Sequence, residues 1–357
     1  MKHLAKRKLV LACAFAVAAT TATAQDTIDM KVSYNQPASS AAWQDVMQSF
    51  VDELEEKSEG RIKITTYPGE VLHSVGDGFK AAASGITDLT SAWPIYLTNS
   101  FELFHATQLP LALPDSNVAA VRVIDELYPK YFKAEYEKLG IKLAFNAATP
   151  QYDILTTKPV ESLADLKGLK LRATGGGLTE IVERLGAVPV SMTISDAYTA
   201  FQQGVVDGII LATADMVAYR LHEVGKYNYR LGVTRVAIPQ AVNRKFYEDL
   251  PDDLKMVLSE ASANASVNYS EMYNRLTDKA LETMEAEGIT TTVASDDDIA
   301  TANELLAPMW DNFVAANEGN STASAEVLTA DMRALTEKFS AMSDEEIKAL
   351  PPVEGLR

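Results

Sequence analysis

The feature that most constrains the fold is one uninterrupted helical pattern in the second half of the chain. After Leu250-Pro251, apolar residues recur every three or four positions up to Gly288, with no glycine or proline between them: Leu254, Leu258, Ala261, Ala265, Tyr269, Met272, Leu276, Ala280 and Met284. About 35 residues at roughly 1.5 Å each form a rod near 50 Å long. Because such a rod is longer than an ordinary domain, we expect it to contact both lobes of a two-lobed protein.

The rest of the chain alternates short apolar strands with helices, which is the pattern of an α/β protein with parallel or mixed sheets. Strands are predicted at 30–34, 62–67, 88–91, 141–145, 152–156, 170–173, 188–190 and within the apolar run 205–211. Helices are predicted at 41–57, 76–83, 117–139, 178–185, 195–203, 297–317 and 321–342. The run 234–242 is expected to cross back into the first lobe.

Length and these patterns together predict two lobes rather than one domain. Lobe I is predicted to comprise residues 25–149 and about 236–270, and lobe II residues 150–235 and about 271–320. Residues 321–357 are expected to form a C-terminal helical segment that packs on the lobes.

Residues 1–24 have the pattern of a secretory signal. Four basic residues stand before position 9, an apolar stretch covers 9–19, and Ala22-Thr23-Ala24 offers a cleavage site near Ala24. The mature protein is therefore predicted to be exported to the periplasm. Cys13, the single cysteine of the sequence, lies inside this signal, so no disulfide is expected after cleavage. A lipoprotein signal ending at Cys13 is the alternative.

The composition is acidic. The sequence has a net charge of −17, and removing the four basic residues of the signal takes it to −21. A surface of this charge repels nucleic acid and anionic membranes, so neither is expected as a partner.

One arginine stands at a position suited to binding an anion. In Leu169-Lys170-Leu171-Arg172 a short apolar strand carries Arg172 at its end, and Thr174-Gly175-Gly176-Gly177 follows at the predicted start of a helix. A guanidinium there can bind a carboxylate with two parallel charge-assisted hydrogen bonds. Free backbone N–H groups at a helix start favour the same anion. The alternative is that Arg172 forms a structural ion pair.

Three linked motifs resemble those of a known family: LADLKGLKLR at 163–172, LGAVPV at 185–190 and DAYTAFQQGVVDG at 196–208. Together they are similar to the substrate-binding proteins of TRAP transporters, the DctP-like group, over nearly the whole mature chain. The resemblance implies a two-lobed periplasmic-binding-protein fold with a hinge, a ligand in the cleft, and delivery to TRAP membrane permease subunits driven by an ion gradient. It implies no catalysis and no cofactor, and it gives the arginine matching Arg172 the role of binding the substrate carboxylate.

Several pocket positions depart from the better-known acid binders of that family. Tyr152 stands where the sialic-acid binders have a second arginine, and Trp93 where they have an acidic residue. Leu211 replaces an asparagine that reaches the ligand, and Ile194 replaces a pocket aromatic. With Tyr96, these side chains could enclose an apolar body. Because a second buried anion would lack a partner, we predict a small organic monocarboxylate, such as an aromatic or branched 2-oxo or hydroxy acid.

Five further residues are candidate ligand contacts: Asn35 after the first predicted strand, Gln151 before Tyr152, Thr174 and Gly175 after Arg172, and Asn243 where the chain returns to lobe I. Asn35 and Asn243 could equally form turns. No His or Cys cluster has metal-ligand spacing, so no metal is expected. The protein is expected to be a monomer.

Two other functions are compatible with an exported two-lobed protein. One is the binding protein of an ABC-type importer for an organic acid. The other is a secreted hydrolase, which the sequence supports less well because it has four histidines in all and lacks a nucleophile elbow.

Overall fold

The computed structural model describes residues 27–97, 99–320 and 322–356. Its strands are β1 (Ile28–Tyr34), β2 (Ile62–Pro68), β3 (Leu89–Ser91), β4 (Ile141–Phe145), β5 (Tyr152–Thr156), β6 (Lys170–Ala173), β7 (Val188–Ser191), β8 (Gly208–Ala212), β9 (Tyr227–Arg230), β10 (Gln240–Asn243) and β11 (Thr290–Val293). They form a sheet with the order β2-β1-β3-β10-β4 and a second sheet with the order β11-β9-β5-β8-β6-β7. The protein thus has two α/β lobes, as predicted.

The helices of the described residues are α1 (Gln48–Lys57), α2 (Gly78–Ala83), α3 (Asn117–Leu127), α4 (Lys133–Lys138), α5 (Gly177–Arg184), α6 (Ile194–Gln202), α7 (Thr213–Ala218), α8 (Arg244–Asp249), α9 (Asp252–Ala286), α10 (Asp296–Leu306), α11 (Pro308–Ala316), α12 (Ala325–Ser340) and α13 (Asp344–Lys348). Wider π-helical turns lead into α1 (Ala42–Met47) and join α3 to α4 (Tyr128–Phe132). The second of these turns contains Pro129, whose missing N–H prevents a regular α-helical hydrogen bond.

Besides the long helix α9, two neighbouring extended segments carry the chain between the lobes. The first leads from β4 to β5, and the second leads from β9 back to β10, which lies antiparallel between β3 and β4. The segments pair with each other through an antiparallel bridge between Ala148 and Ala237. Thr149 N donates to the Val236 carbonyl at 2.9 Å, and Ile238 N donates to the Ala147 carbonyl at 2.8 Å. This two-stranded connection is the hinge, and the crossing predicted at 234–242 is part of it.

The long helix α9 contacts both lobes, which confirms the expectation from its length. It contacts α1, α3 and β4 on the first sheet's side and α7 and β11 on the second sheet's side. Of the apolar residues that predicted this helix, all are buried except Leu276, which is partly exposed. The helix begins directly after Pro251. The negative charges of Asp252 and Asp253 in its first turn interact favourably with the positive end of the helix dipole and so stabilise the helix.

Three strands and two C-terminal helices differ from the predictions. Strands β9 and β11, which pair in parallel at one side of the second sheet, were not predicted, and β10 lies in a run predicted only to cross between the lobes. The helix predicted over 297–317 is two helices, because Pro308 cannot donate a backbone hydrogen bond and begins α11. The helix predicted over 321–342 starts at Ala325, where the Ser324 hydroxyl accepts a hydrogen bond from Val327 N.

The strands divide between the two predicted lobes. Strands β1–β4 and β10 lie in residues assigned to lobe I, and β5–β9 and β11 in residues assigned to lobe II. In the C-terminal segment, α12 and α13 pack against α3. The predicted signal at 1–24 lies outside the described residues. No helix within the described ranges has the length and apolarity needed to cross a membrane.

One buried carboxyl predicts how stability depends on pH. Glu135 on α4 accepts hydrogen bonds from Leu103 N at 2.7 Å and Phe104 N at 3.1 Å. Burial raises the pKa of Glu135 from 4.5 to about 7, against the opposing effect of these two bonds. Since the folded-state pKa exceeds the unfolded one, the stabilising contribution is complete below pH 4.5 and is lost as pH rises through about 7.

Replacing Glu135 with glutamine should therefore change the pH dependence of stability. Between pH 5 and pH 8, we expect the free energy of unfolding of Glu135→Gln to improve relative to the original protein by on the order of 2 kcal/mol. Urea titrations at a series of pH values measure this difference. Glu56→Gln, at an exposed position on α1, is the control. Its free energy of unfolding should differ from that of the original protein by the same amount at every pH. A constant difference for Glu135→Gln as well would contradict the prediction.

Candidate ligand-binding site

Arg172 is buried at the third position of β6, where it pairs with Val190 on β7 and Ile209 on β8. Its Nη2 donates to the Met192 carbonyl at 3.1 Å. Its Nε and Nη1 atoms are buried and have no hydrogen-bond partner. In the described part of the chain, no ion pair joins this guanidinium to a carboxylate. The structure therefore gives no support to the alternative of a structural ion pair.

Arg172 lines a small cavity between the two lobes. The aromatic lining residues are Trp93, Tyr96, Tyr152, Tyr219 and Tyr273. The aliphatic ones are Ile95, Ile194, Leu211, Val236 and Ile238. The polar ones besides Arg172 are Gln36, Thr149, Thr174 and Asp215. These residues come from both lobes, from the hinge and from α9, so the cavity lies where these parts of the protein meet.

The unpaired polar atoms of this lining share one property, which is that each can donate a hydrogen bond. Among the described lining residues, the buried side-chain atoms without a partner are Trp93 Nε1, Arg172 Nε and Nη1, and Thr174 Oγ1. Buried polar atoms are nearly always hydrogen-bonded in folded proteins. A cluster of unpaired donors around one guanidinium is therefore suited to a group that only accepts hydrogen bonds, such as a carboxylate.

An aromatic wall stands beside these donors. The rings of Trp93 and Tyr96, which follow β3, are stacked with centroids 6.3 Å apart and an interplanar angle of 20°. The Tyr96 hydroxyl accepts a hydrogen bond from Ile194 N at 3.4 Å. Burial raises the pKa of Tyr96, with the positive charge of Arg172 acting in the opposite direction. The phenol therefore stays neutral and keeps a proton to donate.

Asp215, which the sequence analysis missed, is a second charged residue of the cavity. It lies buried on α7 and accepts a hydrogen bond from the Tyr273 hydroxyl, 3.2 Å from Oδ1 and 3.4 Å from Oδ2. Burial raises the pKa of its carboxyl to about 7, while the Tyr273 hydrogen bond and the charge of Arg172 oppose the rise. The sequence signal for it was a single carboxylate in the otherwise apolar and neutral stretch 208–218.

Side chains from the two lobes also meet at the edge of the cavity. Asn35 Nδ2 and Gln36 Nε2, which follow β1, each lie 3.3 Å from the Tyr219 hydroxyl and donate to it. Ser195 on α6 donates to Glu70 Oε2 at 3.1 Å. These hydrogen bonds join the lobes in the closed form that the structure describes.

Seven of the predicted site residues line the cavity: Trp93, Tyr96, Tyr152, Arg172, Thr174, Ile194 and Leu211. Asn35 is outside the lining and reaches the cavity through Tyr219. Gln151 does not reach it, because its amide donates to Asp115 Oδ1 at 3.1 Å. Gly175 forms the turn into α5 with φ of 107° and is not part of the lining.

The structure places Asn243 away from the cavity. Its Oδ1 accepts from Phe246 N at 2.7 Å and so caps α8, and its Nδ2 donates to the Ala82 carbonyl at 2.6 Å. Both halves of the amide are used in the first lobe, which agrees with the turn-forming alternative rather than with ligand contact.

Two α/β lobes joined by a hinge, with a cavity that has unpaired donors between them, define a two-lobed solute-binding protein. In the described ranges, no three His, Cys, Asp or Glu side chains are grouped so that they could hold a metal ion.

Comparison with known proteins identifies the family. The chain matches the model for "Bacterial extracellular solute-binding protein, family 7", DctP, over residues 32–317, and it belongs to that family. The resemblance in the three sequence motifs is thereby confirmed. The family and the fold are those of substrate-binding proteins, and its relatives among solved structures are TRAP solute-binding proteins.

Individual relatives are distant in sequence and similar in fold. The C4-dicarboxylate-binding periplasmic protein DctP of Rhodobacter capsulatus is 27% identical over 290 residues, which are 78% of this chain and 85% of the relative. A TRAP solute-binding protein from Rhodoferax ferrireducens T118, solved with co-purified benzoate, superposes with a TM-score of 0.82 at 20% identity, covering 88% and 99% of the two chains. One from Bordetella bronchiseptica, solved with (R)- and (S)-mandelate, superposes with a TM-score of 0.79 at 21% identity, covering 87% and 99%.

Proposed function

We propose that this chain is the extracytoplasmic binding protein of a TRAP-type importer and binds a small organic monocarboxylate with an apolar or aromatic body. The observation that carries the proposal is the buried Arg172 guanidinium, whose Nε and Nη1 have no partner and which is surrounded by aromatic side chains. In this proposal Arg172 binds the ligand carboxylate, and Trp93 Nε1 and Thr174 Oγ1 supply further donors.

The relatives bind different classes of acid, and the charges that line the cavity favour a monocarboxylate over a dicarboxylate. The Rhodoferax ferrireducens and Bordetella bronchiseptica proteins were solved with benzoate and mandelate, and the Rhodobacter capsulatus protein is a C4-dicarboxylate binder. Among the described lining residues Arg172 is the one cation, and Asp215 is the one residue with a carboxyl group. A second ligand carboxylate would therefore be buried without a counter-charge and in the same cavity as Asp215, which costs several kcal/mol.

The test is a titration of the mature protein, unfolded and refolded to remove any co-purified ligand. We expect phenylacetate, benzoate or a branched 2-oxo acid to bind at least about tenfold more tightly than succinate, fumarate or malate. Isothermal titration calorimetry measures each dissociation constant. Benzyl alcohol, which lacks the carboxylate, is the control and should not bind. Tighter binding of any C4 dicarboxylate than of every monocarboxylate would refute the proposal.

We further propose that ligand binding favours the closed form. The Ser195–Glu70 hydrogen bond and the contacts of Tyr219 with Asn35 and Gln36 can form only when the lobes meet. A ligand that adds the Arg172 interaction to these contacts stabilises the closed state over the open one. The closed protein would then deliver its ligand to TRAP membrane permease subunits, as a monomer and after export by the signal at 1–24.

A further inference from the structure

Asp215 has fewer hydrogen-bond partners than its chemistry allows. An ionised carboxyl offers about four acceptor positions, and the Tyr273 hydroxyl, with its single proton, lies between the two oxygens at 3.2 and 3.4 Å. The side chain is buried and lines the cavity, so it cannot complete its hydrogen bonds with bulk solvent in the closed form. Tyr219, another lining residue, receives its hydrogen bonds from Asn35 and Gln36, so its own proton remains available.

We propose that Asp215 is a specificity-determining residue that hydrogen-bonds a hydroxyl group of the ligand, so that the cavity selects hydroxylated monocarboxylates. This inference rests on the proposed function, in which Arg172 holds the carboxylate of the same ligand. Arg172 and Asp215 are then the two polar anchors of the cavity, and the aromatic side chains contact the apolar body of the ligand.

A hydroxyl suits this position better than the other polar groups that a small acid can carry. A hydroxyl both donates and accepts, so it pairs with Asp215 whether the carboxyl is ionised or protonated. A second carboxylate pairs only with the protonated form. An ammonium pairs only with the ionised form and would need further acceptors for its remaining protons. An unsubstituted acid would leave Asp215 with Tyr273 as its single partner.

The experiment compares matched acids by isothermal titration calorimetry on the mature, ligand-free protein. The series is phenylacetate, mandelate, 3-hydroxyphenylacetate, 4-hydroxyphenylacetate and phenylglycine. We expect at least one hydroxylated acid to bind about tenfold or more tightly than phenylacetate, and phenylglycine to bind more weakly than mandelate. The position of the preferred hydroxyl indicates where Asp215 reaches the ligand.

Variants of Asp215 test whether this residue causes the preference. Asp215→Leu removes both oxygens at similar volume. In this variant the preferred hydroxylated acid and phenylacetate should bind with about the same affinity. Asp215→Asn still offers a donor and an acceptor, so it should keep part of the preference. Glu183→Gln, at an exposed position on α5, should keep all of it. Circular dichroism and thermal unfolding of each variant establish that it is folded.

The possible outcomes distinguish a failure of the role of Asp215 from a failure of the proposed function. If phenylacetate binds in an Arg172-dependent way and no hydroxylated acid binds more tightly, the role of Asp215 is wrong and the proposed function stands. The same conclusion follows if Asp215→Leu keeps the preference or if phenylglycine binds more tightly than mandelate. If no monocarboxylate binds, both proposals are wrong.

Discussion

Arg172→Ala is expected to weaken the binding of the best monocarboxylate by more than about 100-fold. Removing one partner of a buried, hydrogen-bonded charge pair costs about 2–5 kcal/mol, because the other charge stays buried and unpaired. Here the ligand carboxylate would lose its counter-charge and its principal donors, since Arg172 is the one cation among the described residues that line the cavity. Titration calorimetry, or the fluorescence of Trp93 in the cavity wall, measures the loss.

Replacing Arg172 should lower the affinity for the ligand without lowering the stability of the ligand-free protein. The Arg172 side chain is fully buried and donates one hydrogen bond, to Met192. A buried charge without a counter-ion is unfavourable, and a methionine fills most of the same space without one. We therefore expect Arg172→Met to unfold at the same or a higher urea concentration than the original protein, although it loses binding as Arg172→Ala does.

Two further variants separate the guanidinium's role from a general charge effect. Arg172→Lys restores a positive charge but not the two parallel hydrogen bonds, so it should recover only part of the affinity. Arg184→Ala removes a partly exposed arginine that pairs with Glu180 on α5, and it should bind normally. Retention of the original affinity in Arg172→Ala, or a large loss of stability in Arg172→Met, would show that Arg172 is structural.

Sequence patterns predicted several buried strands well and missed the exposed strand β11. Strands β4, β5 and β6 have the bounds that were predicted, because each is a short run in which every position, or every position but one, is buried. By contrast, β11 exposes most of its side chains and carries three threonines before Val293. No apolar alternation marks it, and its strand conformation depends on its pairing with β9. Such a strand is determined by tertiary contacts, which a single sequence does not reveal.

The residues of the site likewise fall into those that the sequence indicated and those that only the packing of the fold reveals. Arg172 and Thr174 follow from one local motif, and the resemblance supplied Trp93, Tyr152 and Leu211. Tyr273 and Asp215 were missed because packing alone brings them to the cavity. Tyr273 belongs to α9, where its position is that of an ordinary core aromatic. Asp215 belongs to α7, whose six residues are too few to show a helical pattern in the sequence.

The largest stability effect is expected at Gly78, where α2 begins against β3. A Cβ atom at this position would lie 2.0 Å from the Ser91 carbonyl oxygen and 3.1 Å from the Ser91 carbonyl carbon. Both are backbone atoms, so no side-chain rotation relieves the overlap, and either α2 or β3 must move. We expect Gly78→Ala to lower the free energy of unfolding by about 2–4 kcal/mol, as measured by urea titration.

The same substitution should weaken ligand binding, because the displaced strand leads directly to the aromatic wall. Ser91 ends β3, and Trp93 and Tyr96 follow within five residues. The matched control is Gly76→Ala, two positions earlier, where a Cβ meets no atom within 4 Å and the backbone is not left-handed. Reduced chain entropy in the unfolded state should make that variant equally or slightly more stable. Equal stability of the two variants would contradict the close approach of α2 to β3, and with it the packing that positions Trp93.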